Sequence, residues 1–240
     1  MYPTSFIKHQ TDFVRMGLEH WLWIFFYGVV FTILWIWYGR NQTDPKKQQK
    51  IGFYHGLFGI ISWGLTTLVI YDIDGLQLTS LLPFHVCYFL NLVLPFIHKY
   101  RSFQVFDICY YWVMVACLQG VFTPDLEEAF PHFYNVRYFI VHIGLVQSIL
   151  YALFVYRFKP TWKGILKALL AGNIYLGFTH LINTNLETNF MYTMRKPPNT
   201  ILDALGEYYL FEAQFLALVL FGVVYLPFFF KKRALKNNDL

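Results

Sequence analysis

LQLTSLLPFHVCYFLNLVLPFI, residues Leu76 to Ile97, is an apolar stretch of 22 residues with no Asp, Glu, Lys or Arg. As a helix rising about 1.5 Å per residue it spans about 33 Å, enough to cross a hydrocarbon core of about 30 Å. Read outward from it, the chain repeats the pattern. Comparable runs are Trp21 to Tyr38, Ile51 to Tyr71, Phe103 to Phe122, Tyr134 to Tyr156, Gly164 to Ile182 and Tyr208 to Phe230. The fold class expected is therefore all-α and polytopic: seven transmembrane helices in one domain covering residues 1–240.

Composition agrees. Of the 240 residues 57% are hydrophobic and only 14% charged, which excludes an ordinary soluble domain. Trp21, Trp35, Trp37, Tyr38, Tyr71 and Tyr208 cluster at the ends of runs, where an apolar ring with a wet tip belongs. No small-residue cleavage pattern follows the first run, so it reads as a retained helix rather than a signal peptide.

The net charge of +5 is distributed by loop rather than gathered into a nucleic-acid patch. Fourteen of the 19 basic residues follow or flank runs one, three and five or end the chain, among them Arg40, Lys50, Lys99, Arg157 and Lys232. The acidic loops at Asp72/Asp74 and Asp125/Glu127/Glu128 fall on the other side. By the positive-inside rule the N-terminus is expected outside and the C-terminus in the cytoplasm.

This topology makes depth comparable between runs three and five, which both go inwards. Cys87 lies 11 residues into its run, about 16 Å, and His142 lies 8 residues into its own, about 12 Å. Ionisable groups at such depth are costly unless they face a cavity, so they are candidate site residues. His180, His20 and Glu212 are expected towards the same external side, and Asp107 and His55 towards the other.

On a regular helix residues two apart diverge by about 200°, so His85 and Cys87 share no target unless the backbone is irregular. Pro83 removes a helical hydrogen bond just ahead of them and is a source of kinking. A nucleophile needs its base within hydrogen-bond reach, which favours His142 as the partner of Cys87 and leaves His85 to orient or bind substrate. Asn91 shares the Cys87 face, and Asn91, Asn183 and Asn185 are candidate oxyanion donors. Packing of a buried thiol and interhelical hydrogen bonding of the histidines are the plainer readings. No metal is expected, because neither an i,i+4 His pair nor Cys-x-x-Cys spacing occurs. Cys109 and Cys117 read as small buried hydrophobes. The stretch Asn183 to Glu207 is long enough for a lid or binding loop.

Three separated segments carry a family resemblance. Leu82-Pro83-Phe84-His85-Val86-Cys87, Leu118-Gln119-Gly120-Val121-Phe122-Thr123-Pro124-Asp125-Leu126 leading to His142, and Asn189-Phe190-Met191-Tyr192 followed by Lys196-Pro197 resemble the YwaF-like bacterial integral membrane proteins. That family is in turn similar to an animal membrane acyltransferase that places polyunsaturated chains on ether phospholipids. More distantly it is similar to androgen-induced membrane hydrolases that use a threonine and a histidine. The resemblance implies a seven-helix protein of the cell membrane, in bacteria the cytoplasmic membrane, with Cys87 as nucleophile and His142 as base.

The function expected is a lipid acyltransferase, transacylase or lipid ester hydrolase. It would act on membrane phospholipids and lysophospholipids through a Cys-His pair, without a cofactor. The alternative is a transporter or ligand-binding membrane protein whose polar cavity does no chemistry.

Overall fold

The computed structural model describes residues 4–74, 78–196 and 202–238. It is helical throughout, and among the described residues the only β pairing is an isolated bridge between Asp12 and Glu128. Among the described residues six helices are long and apolar enough to cross a membrane: α1 (Leu18–Arg40), α2 (Pro45–Asp74), α4 (Phe103–Phe122), α5 (Phe133–Phe154), α6 (Trp162–Leu186) and α7 (Tyr209–Asn238). A seventh, α3 (Val86–Tyr100), lies between α2 and α4 and has 15 residues. At about 22 Å it is shorter than a hydrocarbon core.

This corrects the expectation of one continuous helix from Leu76 to Ile97. The expected start at Leu76 falls outside the described residues, and a short helix, Leu78–Leu81, is followed by non-helical backbone through His85. Pro83 explains the break, since it has no N–H to donate and disfavours helical geometry at Leu82. Leu82 N–H closes the short helix on the Leu78 carbonyl, and His85, extended at φ −71° and ψ 142°, caps α3.

Exposed backbone polar groups are not tolerated in lipid, so the break has to be covered by protein. The Tyr175 hydroxyl of α6 donates to the Phe84 carbonyl at 3.0 Å. Phe190, from the loop after α6, packs edge-on against Phe84, with ring centroids 5.3 Å apart.

Contacts between helix ends set directions within the bundle: Gly39 at the end of α1 meets Tyr151 near the end of α5, and Gly52 near the start of α2 meets His98 near the end of α3. The central helix is α5: 67% of its most apolar window is buried, against 6% for α7, whose aromatic face is open to the surroundings as a lipid-facing helix requires. The end where α3 finishes is fixed by polar contacts with structural roles. Asp107 accepts from both the backbone N–H and the hydroxyl of Thr161, and Thr161 caps α6 through Gly164 N–H. A Cβ at Gly164 would lie 2.4 Å from an Asp107 oxygen, which is why glycine stands there. His98 is held between the Ser148 and Tyr156 hydroxyls.

Two stretches depart from the α-helical ladder. Trp23–Phe31 in α1 and Val113–Cys117 in α4 are π-helical, a widening that turns the following side chains relative to a regular helix. Cys117 closes the second of them.

Candidate functional site

Because α3 starts late, Cys87 is its second residue and sits at a helix N-terminus buried within the bundle. The first-turn N–H groups have no intrahelical acceptor, and His85 provides no side-chain cap.

The thiol has two partners. It lies within side-chain reach of His142 of α5, and its Sγ lies 3.4 Å from Cys117 Sγ of α4. His142 is 8% exposed and closely held. Its Nδ1 lies 2.9 Å from the Tyr138 carbonyl one turn earlier, and its ring stacks on that of Tyr138 at 4.0 Å. A carbonyl only accepts, so Nδ1 carries the hydrogen and Nε2 is left to accept a proton from the thiol. The backbone carbonyl thus does the orienting that a carboxylate does in an acid-containing triad.

Gly120 makes room for this ring. A Cβ there would lie 2.8 Å from His142 Cδ2, and the Tyr138 hydroxyl donates to the Gly120 carbonyl at 2.9 Å. Arg137, 2% exposed, lies at 4.4 Å over the ring of Tyr88, the residue next in sequence to Cys87.

His85 is near Cys87 but turned to the loop after α6, with its ring 5.4 Å from Phe190 and 5.3 Å from Tyr192. Burial pushes the Tyr192 phenol up to about 12, so it remains protonated and able to donate at neutral pH. That loop is organised by Asn183, 1% exposed. Its amide nitrogen donates to the Phe190 carbonyl and Thr193 hydroxyl, while its oxygen accepts from Phe190 N–H and the Thr188 hydroxyl. Asn183 therefore shapes the site from behind with all four bonds in use.

The remaining candidates lie apart from the Cys87 cluster. Asn91 is one turn further along α3, with its oxygen towards Gly59 of α2, and it lines a small polar cavity with His55 and Ser148. His180 is exposed and lies 3.3 Å from the Thr193 hydroxyl, and exposed Asn185 donates to the Leu181 carbonyl. Glu212 accepts from Gly206 N–H. His20 is fully buried, with Nδ1 accepting from Met16 N–H and Nε2 donating to the Val121 carbonyl. Both its nitrogens are used to fasten the N-terminal segment to the end of α4.

Sequence reasoning missed Cys117, Gly120 and the Tyr138 carbonyl. Two signals were available: Gly120 lies within a quoted motif, and Tyr138 precedes His142 by four residues, on the same helix face. Nothing in the sequence marked Cys117, because its direction is set by the π-helical segment. Among the described residues no cluster of three or more His, Cys, Asp or Glu is arranged to hold a metal.

A membrane-protein family model matches residues 15–225, from just before α1 into α7. The chain belongs to the TMEM164 family. All three motif segments, and with them every residue of the Cys87 cluster, lie inside the TMEM164 match. Searches of curated proteins and of solved structures gave no match.

An apolar cleft lies next to the residues of the Cys87 cluster. It lies between α4, α6 and α7, holds about 610 Å³ of unfilled space including its open mouth, and is lined by Val86, Trp112, Ala116, Gly172, Met191 and Phe221 among others. Val86 is the residue before the thiol, so the cleft adjoins the N-terminus of α3.

Proposed function

We propose that this protein moves acyl chains between membrane lipids, as a phospholipid acyltransferase or transacylase with water as a competing acceptor. One observation carries the reading: a thiol at a helix N-terminus lies within side-chain reach of an imidazole whose other nitrogen is already committed to a backbone carbonyl.

In the first half-reaction the Cys87 proton passes to His142 Nε2 and the sulfur attacks the ester carbonyl of a phospholipid. The oxyanion is met by the first-turn N–H groups of α3 and by the Tyr192 phenol. The tetrahedral intermediate collapses, the lysophospholipid oxygen leaves with the proton from His142, and the acyl group remains on Cys87 as a thioester. In the second half-reaction His142 takes the proton of an acceptor hydroxyl, whose oxygen attacks the thioester carbonyl. The Cys87 sulfur leaves and recovers its proton.

Support for a lipid substrate comes from the cleft beside Val86. Its mostly apolar walls suit a hydrocarbon chain. The 14 to 5 split of basic residues supports an N-terminus outside, which puts the thiol nearer the external face with α3 and its preceding break acting as the seventh crossing.

The test is intact-protein mass spectrometry after incubation with a phosphatidylcholine of defined acyl composition. An added acyl mass on Cys87, removed by hydroxylamine and absent in Cys87→Ala, is expected. Unchanged lipid turnover in Cys87→Ala would end the proposal. A second reading, solute binding or transport, is favoured by the polar cavity between α2, α3 and α5, where His55, Asn91 and Ser148 converge. Loss of lipid turnover in Cys87→Ala with wild-type activity in His55→Ala separates the two.

A further inference from the structure

Cys117 is a nucleophile that the acyl-transfer steps leave unused. Its sulfur is 3.4 Å from that of Cys87, the residues are 30 apart in sequence and come from different helices, and both thiols are free. The third thiol, Cys109, is one helix segment away from Cys117, about 12 Å along α4, so the close pair is specific. A disulfide has its sulfurs about 2.05 Å apart, so the pair is about 1.4 Å from bonding distance. The backbone on both sides is irregular. Cys87 follows the non-helical break at Leu82 to His85, and Cys117 ends the π-helical segment of α4.

We propose that Cys87 and Cys117 form an oxidative modification site, in which a hydroperoxide converts the pair to a disulfide and a thiol reductant restores it. His142 takes the Cys87 proton, as it does before acylation. The thiolate attacks the nearer peroxide oxygen, forming S–O as O–O breaks. The departing oxygen takes the proton and leaves as an alcohol, or as water from hydrogen peroxide. Cys117 sulfur then attacks the Cys87 sulfenic sulfur: S–S forms, S–O breaks, and the hydroxide released takes the Cys117 proton to give water. Two thiols lose two electrons and the peroxide gains them. The bond takes the nucleophile out of use and also keeps it from irreversible oxidation to the sulfinic acid, since a resolving thiol adjoins the sulfenic acid.

Formation of this bond is independent of acyl transfer; only the activity readout rests on the function proposed above. Purified protein in lipid is treated with hydrogen peroxide, digested without reduction and analysed by mass spectrometry. The expected result is a Cys87–Cys117 cross-linked peptide pair that dithiothreitol removes, with Cys109 unmodified and lipid turnover lost and then regained. Cys117→Ser should give no cross-link, accumulate sulfinic acid on Cys87 and lose turnover irreversibly. The inference is overturned if the wild-type protein over-oxidises Cys87 at the Cys117→Ser rate without a cross-link, or if the cross-link joins Cys109. A cross-link in a wild-type protein with no lipid turnover before oxidation would support the modification site and count against the function proposed above.

Discussion

Replacing Gly120 by alanine puts a methyl carbon 2.8 Å from Cδ2 and 3.3 Å from Nε2 of His142. Comfortable carbon–carbon separation begins near 3.5 Å, so the ring has to yield by about 0.7 Å. It has little freedom to do so. Tyr138 stacks on it at 4.0 Å and holds Nδ1 through its carbonyl, so the shift comes at the expense of its approach to Cys87. A misplacement of about 1 Å costs roughly 100-fold in rate, which sets the expected loss at roughly 10- to 100-fold, or about 1.4–2.7 kcal/mol in the barrier. Stability should change less. Overpacking costs about 1–3 kcal/mol, while exchanging a helical glycine for alanine returns up to about 1 kcal/mol. The assay is the rate of Cys87 acylation from phosphatidylcholine, followed by intact mass, alongside thermal unfolding in the same lipid. Gly177→Ala is the control, because its Cβ would meet nothing within 4 Å and the residue lines neither cavity. If Gly120→Ala acylates within about threefold of the parent rate, His142 placement does not govern the reaction and the base assignment fails.

Cys87→Ala and His142→Ala should each reduce lipid turnover to background, with the double variant no worse than either, because both remove the same step; additive losses measured by lipid mass spectrometry would count against a working pair. Gly172→Phe should fill the cleft beside Val86 and shift turnover at least tenfold towards shorter acyl chains in a competition assay, and an unchanged chain profile would take the cleft out of substrate binding. Asn183→Ala should cost about 2–4 kcal/mol in thermal unfolding, since it strips four hydrogen bonds from the loop carrying Phe190 and Tyr192. In a background without the native thiols, a cysteine at Gln48 should resist an impermeant reagent in intact cells and one at Glu127 should react; the reverse would invert the orientation.

His85 shows how far local pattern reaches. Pro83 pointed to a disturbed helix, and the angular argument that His85 and Cys87 cannot share a target holds only on a regular helix. The break at Leu82–His85 removes that premise, yet the outcome is decided by partners distant in sequence: Tyr175 satisfies the Phe84 carbonyl, and Phe190 and Tyr192 take up the His85 ring. Asn91 illustrates the converse. Its spacing of four from Cys87 put it on a shared helical stripe, but one turn of rise carries it to Gly59 and the His55 cavity.

By itself the sequence determined that this is an all-helical membrane protein, because the need to satisfy every backbone group in lipid leaves long apolar runs one structure to adopt. It also marked Cys87 and His142, since reactive polar groups within such runs are few and expensive. Tertiary structure alone decided where α3 begins, that Cys117 rather than another thiol adjoins Cys87, and that a backbone carbonyl holds the His142 ring. Those outcomes depend on a backbone break, a π-helical turn and the missing Cβ of Gly120, and each is held by contacts between helices that no periodicity along the chain encodes.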